Sequence, residues 1–483
     1  MNHLAIDIGN TSGRVSLAGL ARDRLTIIEI ARFPNIAVEI DGHLTWDVLH
    51  LVHQIKSGVR AAVAQTGEIA SLGIDTWGVD FALLDRAGQL LANPRHHRDP
   101  GNRAGQRLVH DRIVPADLFA RTGVQDLPIN SLFQLAALQQ ERPWLLKTAA
   151  AFLMMADFLR WSLTGEIASE YTLATTSQLI NVETRDWDLD LIGRLGLPVA
   201  IFPRLIAPGT MSGTLTDRIA AELAVPRIPA VAVAQHDTAC AVHAVPGAPD
   251  AAWLSLGTWG LLGTNLPAPL CTEAVRQAGL TNEGGATGQT RLLRNLTGLW
   301  LYERCRAAWS AAGAPMSHDD LTAAIAGPLS LQHLFDPDDP ELMNPPDMPA
   351  AICHLLGEPS LTTAEVLHAI TCSLAFKVAA VLDQLEHVTG RRFPGLHVVG
   401  GGARNEPLCL GIATAIGRPV WAGPAEATTI GNALMQMRAL GAIAGTTDAR
   451  NLVLASFPPK TFEPEHNADW DDARARFQTL TNG

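Results

Sequence analysis

At 483 residues the chain is too long for one ordinary core, so about two to four domains are expected. Its 47% hydrophobic and 17% charged content fits an ordered, soluble protein with large cores and excludes a chain dominated by disorder. A formal net charge of -12, with no basic stripe, argues against nucleic acid or an anionic membrane as partner.

Met1 to Asp7 begins without a cationic stretch and carries an acid where a signal peptide would be apolar, so export is not expected. The alternation of His3 to Ile8, Arg14 to Leu20 and Leu25 to Arg32 predicts strands, and the apolar spacing of Asp47 to Gln65 predicts a helix closed by Gly67. Between the first two strands, Asp7-Ile8-Gly9-Asn10-Thr11-Ser12-Gly13-Arg14 joins small residues and hydroxyls suited to phosphate oxygens with a carboxylate, Asp7, suited to a phosphate-bound Mg2+. The same residue types also build an ordinary hairpin turn, and the spacing is not that of a Walker A loop.

A strand over Ile69 to Ile74 leads into Asp75-Thr76-Trp77-Gly78-Val79-Asp80, where two carboxylates flank a tryptophan and a glycine; this suits sugar hydroxyls, or two turn aspartates around a packed indole. From Asn93 to about Leu195 the pattern is mainly helical and reads as an insertion, and the pair His96-His97 within it reads as solvated rather than metal-bound. An apolar run, Ile228 to Ala234, delivers His236-Asp237-Thr238 at a strand end, where open α/β sheets place their ligands. Asp237 there can accept the proton of a hydroxyl that attacks a phosphorus, or cap a helix.

Pro246 and Gly247, within Ala244 to Pro249, predict a hinge, and a second strand set begins at Ala251. Trp253 to Gly260 repeats the strand and glycine turn; a long helix over Thr363 to Val388, a strand over Leu396 to Val399, Gly400-Gly401-Gly402, a strand near Pro419 to Ala422 and a helix over Ala427 to Leu440 follow. The second half thus restates the logic of the first, as an internal duplication would. No apolar run approaches the roughly 20 residues of a membrane span. The six cysteines show no CxxC spacing, so a reducing cytoplasm is the expected location.

In their order along the chain these segments resemble the FGGY family of carbohydrate kinases. The resemblance rests on Asp7 to Arg14, Ile74 to Phe81, Glu170-Tyr171-Thr172 with Ala174-Thr175-Thr176, His236 to Ala239, Gly257-Thr258-Trp259, Asn282-Glu283-Gly284-Gly285, Asn295 with Gly298 to Leu301, and Val399 to Gly402, and it covers Ile6 to about Leu440. It implies an α/β chain with two actin-like (ribonuclease H-like) domains and an interdomain cleft. Residues 1-245 would be mainly sugar-binding, with the insertion near 93-195, and residues 246-483 mainly ATP-binding.

By the same resemblance Asp237 is the proton acceptor, and Gly78, Asp80, His236, Thr238 and Asn295 join it as sugar contacts. Asn10, Thr11, Ser12, Gly13, Arg14, Thr258, Glu303, Gly401 and Gly402 are nucleotide contacts, and Asp7 is the metal-associated carboxylate. Position 303 is Glu where the family more usually presents an uncharged amide. The implied reaction transfers the γ-phosphate of ATP, with Mg2+, to the 1-hydroxyl of L-rhamnulose. L-fuculose, xylulose, or a non-catalytic sugar or nucleotide sensor are the alternatives. The expected partners are a small ketose and ATP, without nucleic acid or membrane, for a monomer or homodimer. Cys353 and Cys372 resemble in placement a cysteine pair of related enzymes and are expected to be reduced.

Overall fold

A computed structural model describes residues 1–21, 23–247, 251–465 and 468–482. The chain divides into two compact units that interleave in sequence: Met1–Ala244 with Leu266–Leu292 and Ala427–Ser456, and Val245–Asn265 with Leu293–Glu426 and Phe457–Gly483. The expected hinge falls at the first passage between them, although its Ala248 and Pro249 lie outside the described residues.

The first unit is built on a six-stranded sheet in the order Thr210–Thr214, Pro229–Ala232, Ser71–Thr76, Asn2–Ile8, Ser12–Ala21, Arg24–Pro34. Asn2–Ile8 is the centre, antiparallel to Ser12–Ala21 and parallel to Ser71–Thr76, which in turn runs parallel to Pro229–Ala232. Its residues Leu4, Ala5, Ile6 and Ile8 are fully buried, as a strand covered on both faces requires. The helix Val48–Thr66 starts where the Asp47 carboxylate accepts the His50 N–H at 3.0 Å and ends at Gly67, whose φ of 74° only glycine adopts cheaply. Its Leu51, Ile55, Val59 and Ala62 share one face and are buried.

The region read as a helical insertion does hold helices, among them Asn102–His110, Ser131–Glu141 and Met155–Thr164. It also contains the strand Ala151–Met154, paired antiparallel with Phe81–Leu84, so part of it is stitched into the strand that precedes it. The pattern missed this strand because AFLM is a short apolar run that fits helix and strand equally.

In the second unit the sheet order is Leu293–Thr297 (the end of the strand Thr290–Thr297), Trp259–Leu266, Ala252–Leu256, Leu396–Val399, Val420–Ala422, Lys460–Phe462. Ala252–Leu256 is antiparallel to Trp259–Leu266 and parallel to Leu396–Val399, which repeats the hairpin and parallel neighbour at the centre of the first unit. The helix Thr363–Thr389 has 27 residues and a mean hydropathy of 1.6 over its most apolar window. That makes it long and apolar enough to cross a membrane, contrary to the expectation from the sequence. Since 83% of the window is buried inside the protein, its apolar surface is already occupied by core packing.

Candidate active site

Parallel pairing aligns strand ends, and in the first unit it aligns carboxylates. Asp7 stands opposite Asp75 in the ladder between Asn2–Ile8 and Ser71–Thr76, and Thr76 bridges to His236 in a parallel contact just beyond Pro229–Ala232. Asp7, Asp75 and Asp237 therefore belong to the carboxyl ends of three consecutive strands, where ligands of open α/β sheets sit.

Asp7 also faces Arg14 across the hairpin and pairs with it at 2.8 Å. Asp75 is fully buried; its Oδ2 accepts from Asn432 Nδ2 at 2.6 Å, while its Oδ1 has no hydrogen-bond partner. Burial, and next the charge of Asp7, push Asp75 well above the ordinary carboxylate range against that hydrogen bond, and Asp237 adds to the rise.

Asp237 opens the helix Asp237–His243, one position after its N-cap, His236. Its Oδ1 accepts from the N–H and hydroxyl of Thr238 and lies 3.3 Å from His236 Nε2. Its Oδ2 is outside these contacts, and the side chain is 31% exposed. The carboxylate is thus held by one oxygen and open at the other.

A brace over residues 170–176 holds three loops around it. Glu170 Oε2 accepts from Gln235 N at 3.1 Å, and Thr172 Oγ1 accepts from His236 N at 3.4 Å. Thr175 Oγ1 accepts from Gly284 N at 2.9 Å, and Thr176 Oγ1 accepts from Val79 N at 3.0 Å. The last bond matters because Val79 has a φ of 68°, a strained value for a β-branched residue. Gly78 is half-buried on the same turn, between Trp77 and Asp80.

Asp80 lies completely inside. Its Oδ2 accepts from Trp46 Nε1 at 2.6 Å, Trp77 Nε1 at 2.8 Å and His97 Nδ1 at 2.8 Å, and its Oδ1 from Gln134 Nε2 at 2.9 Å. Burial alone would raise its pKa; the charge and hydrogen bond of His97, with His96 and Trp77, bring it below the ordinary carboxylate value. His96 and His97, expected to be solvated, are buried, and His96 stacks on Trp46 at 4.2 Å. Sequence could not show that this pair faces an indole 50 residues earlier.

The first glycine turn is tight. Gly9 N donates to Ser12 O at 2.9 Å, while Asn35 ties Thr11 O at 3.0 Å and Gly9 O at 2.8 Å. Thr11 is exposed, Asn10 and Ser12 are half-buried, and Asn10 Oδ1 is buried without a partner. Gly13 instead is buried against the Phe33 ring, which occupies the place of a side chain; packing requires a glycine there.

In the second unit the matching hairpin puts Ser255 opposite Leu261 where the first puts Asp7 opposite Arg14, counting back from the turn. The two turns share a shape but not a charge. Leu299 N donates to Gly257 O at 2.8 Å and Trp300 N to Thr258 O at 3.1 Å, so Gly298 packs on backbone, and Gly400 and Gly402 close on Leu256. Thr258 and Asn295 are half-buried, Gly402 is buried, and Gly401 is exposed with open space at its Cα. Glu303, in the first turn of Trp300–Ala311, pairs with Arg306 at 2.7 Å, which neutralises the charge that set it apart from an amide.

Two residues with no assigned role, Glu283 and Arg291, pack directly on His236. An arginine inside the apolar strand Thr-Arg-Leu-Leu was the available signal, since a buried guanidinium needs a partner. No group of three or more His, Cys, Asp or Glu able to hold a metal occurs among the described residues. The Asp7 and Asp75 oxygens, one of them unpartnered, fit a hard cation carried by phosphates and water. All six cysteines, including Cys353 and Cys372, are free thiols.

The fold is shared with solved sugar kinases. A ligand-bound xylulose kinase from Lactobacillus acidophilus superposes with a TM-score of 0.81 at 15% identity, covering 100% of this chain and 96% of the other. A Plasmodium falciparum glycerol kinase with ADP gives 0.81 at 15% identity, covering 100% and 97%. At such identity the likeness establishes the architecture, two actin-like, ribonuclease H-like units.

Residues 2–243 match the N-terminal domain, and residues 252–440 the C-terminal domain, of the FGGY family of carbohydrate kinases. The chain belongs to that family. It is 39% identical over 482 residues to a rhamnulokinase from Bacteroides thetaiotaomicron, covering 99% of both chains. It is 37% identical over 488 residues to a rhamnulokinase from Yersinia pestis, covering 99% of this chain and 98% of the relative.

Proposed function

We propose that the protein phosphorylates L-rhamnulose at its 1-hydroxyl with ATP, giving L-rhamnulose 1-phosphate and ADP, as a step of L-rhamnose catabolism in the cytoplasm. The sugar's identity is supported by the two rhamnulokinase relatives that match the chain almost end to end. The chemistry is carried by one observation, an Asp237 carboxylate held at Oδ1 by Thr238 and His236 with Oδ2 outside those contacts.

In this reading the first unit binds the ketose through Gly78, His236, Asp237 and Thr238, with Asn295 contributed by the chain beyond it. Asp80 supports that site from behind, because its oxygens are engaged by Trp46, Trp77, His97 and Gln134. The second unit binds ATP along Thr258, Glu303, Gly401 and Gly402, and the turn Asn10 to Arg14 meets its terminal phosphates.

Asp237 takes the proton of the 1-hydroxyl as that oxygen bonds to the γ-phosphorus. The bond from the γ-phosphorus to the β-γ bridging oxygen breaks, and ADP leaves with the electron pair. Asp7, beside Asp75, would hold waters of Mg2+, which when bound neutralises phosphate charge. Most of the rate comes from positioning the two reactants.

An ADP-release assay across ketoses tests the proposal. L-rhamnulose should be turned over with the highest kcat/KM, and Asp237→Asn should lower kcat by about 10²- to 10⁴-fold while sugar binding persists. Preferred turnover of L-fuculose or xylulose would overturn the substrate, and turnover of no ketose would favour a sensor.

A further inference from the structure

Behind His236 the first unit buries a carboxylate and a guanidinium. Glu283 is the penultimate residue of the strand Thr281–Gly284 and Arg291 the second of the strand Thr290–Thr297, both in the segment Leu266–Leu292 that packs with the first unit. Arg291 is fully buried, and the side chains of Glu283 and His236 are each 8% exposed. Arg291 Nη2 donates to Glu283 Oε2 at 2.9 Å and Arg291 Nε to Gly284 O at 2.8 Å, while its Nη1 has no partner. Both side chains meet one atom of the histidine. His236 Nδ1 lies 3.1 Å from Glu283 Oε2 and 3.0 Å from Arg291 Nη2.

A buried ion pair is a poor way to gain stability, because desolvation offsets much of its attraction and an apolar pair of the same volume often does as well. Its place here explains it better. We propose that Glu283 and Arg291 are positioning residues for catalysis, fixing the His236 ring so that Nε2–H is always presented to Asp237 Oδ1. The inference rests on the reading of Asp237 as the proton acceptor.

The hydrogen-bond logic is closed. A neutral ring accepts at Nδ1 from Arg291 and must carry its hydrogen on Nε2; a cationic ring donates from Nδ1 to Glu283 and still carries one on Nε2. The third state, Nδ1–H with a bare Nε2, would set a lone pair against the Asp237 carboxylate 3.3 Å away. In both permitted states a hydrogen on Nε2 faces Asp237 Oδ1, adding to the Thr238 N–H and hydroxyl that already occupy that oxygen, so that Oδ2 is the one left for the sugar hydroxyl. The buried pair thereby reinforces that assignment without touching the sugar itself.

The test is a double-mutant cycle with Glu283→Gln, an isosteric change, and Asp237→Asn, reading kcat, sugar affinity by calorimetry and Tm. Glu283→Gln should lower kcat by about 10-fold or more, with a smaller loss of sugar affinity through the His236 contact, and should cause no further loss of kcat in the Asp237→Asn background. A kcat within twofold of wild type, or a loss that multiplies with that of Asp237→Asn, overturns the inference. Should Glu283→Gln fail to fold, Arg291→Lys replaces it under the same criteria, keeping the charge but unable to span Glu283, Gly284 and His236 together. Wild-type turnover by Asp237→Asn alone would instead overturn the proton-acceptor reading beneath it.

Discussion

A carboxylate's surroundings decide whether it reacts or organises, and this chain shows both uses in one unit. Asp237 has one oxygen outside its protein contacts, whereas Asp80 accepts from two indoles, an imidazole and an amide. Asp80→Asn puts an NH2 where an acceptor is required and strands at least one buried donor, a penalty of about 1–3 kcal/mol or more. Urea unfolding should therefore show a stability loss of at least about 1 kcal/mol. A variant as stable as wild type would mean that Asp80 is not the hub of this cluster. The sequence showed that two aspartates flank Trp77, but the role of Asp80 depends on Trp46, His97 and Gln134 and that of Asp75 on Asn432, which are remote in the chain. His96 and His97 illustrate the same limit, because a polar local composition says nothing about an indole that folds over it.

Elements bring these residues together through close backbone approach. The helix Ala427–Ala439, late in the chain, packs in the first unit, and Gly431 is where it meets the helix that begins at Asp237. A Cβ at Gly431 would collide with the Cys240 carbonyl, and Asn432 next to it donates to Asp75 Oδ2 at 2.6 Å. Backbone cannot yield as a flexible side chain can, so Gly431→Ala should push the two helices apart. Overpacking of this kind costs about 1–3 kcal/mol. Both a lower Tm and a reduced kcat are expected, the latter because Asp237 moves with its helix. Unchanged Tm and kcat in scanning calorimetry and the ADP-release assay would refute the close contact. The helix itself was evident from the spacing of Ala427 to Leu440; its assignment to the first unit was not, since periodicity marks a face and leaves the partner open.

At the scale of the whole molecule, burial of titratable groups sets the pH dependence of stability. Burial lowers His3, His96 and His243 to about 4, so each stays neutral in the fold while the unfolded chain takes up a proton below about 6.5. Their contribution is intact above pH 6.5 and is lost as pH falls toward 4. Burial raises Asp157 to about 6 and Glu170 to about 7, which opposes this because those acids favour folding as pH falls over the same window. Asp75, also raised by burial, acts in the same sense, so three histidines face three acids and their proton uptakes nearly cancel near pH 5.5. Tm should therefore change little between pH 7 and pH 5; a steep fall would show that the histidines prevail.

The sequence by itself determined the α/β alternation, most of the central strands, the two glycine turns and Asp237 at a strand end. Each of these is written in residues that are neighbours along the chain, through period-two alternation, small residues at turns or an acid after an apolar run. The tertiary structure alone decided that Asp7 stands beside Asp75, that Glu170 to Thr176 brace three loops, that Glu283 and Arg291 back His236, and that the units interleave. Those facts join residues far apart in sequence, and the free energy that brings them together, from parallel strand pairing, packing and buried hydrogen bonds, has no local signature.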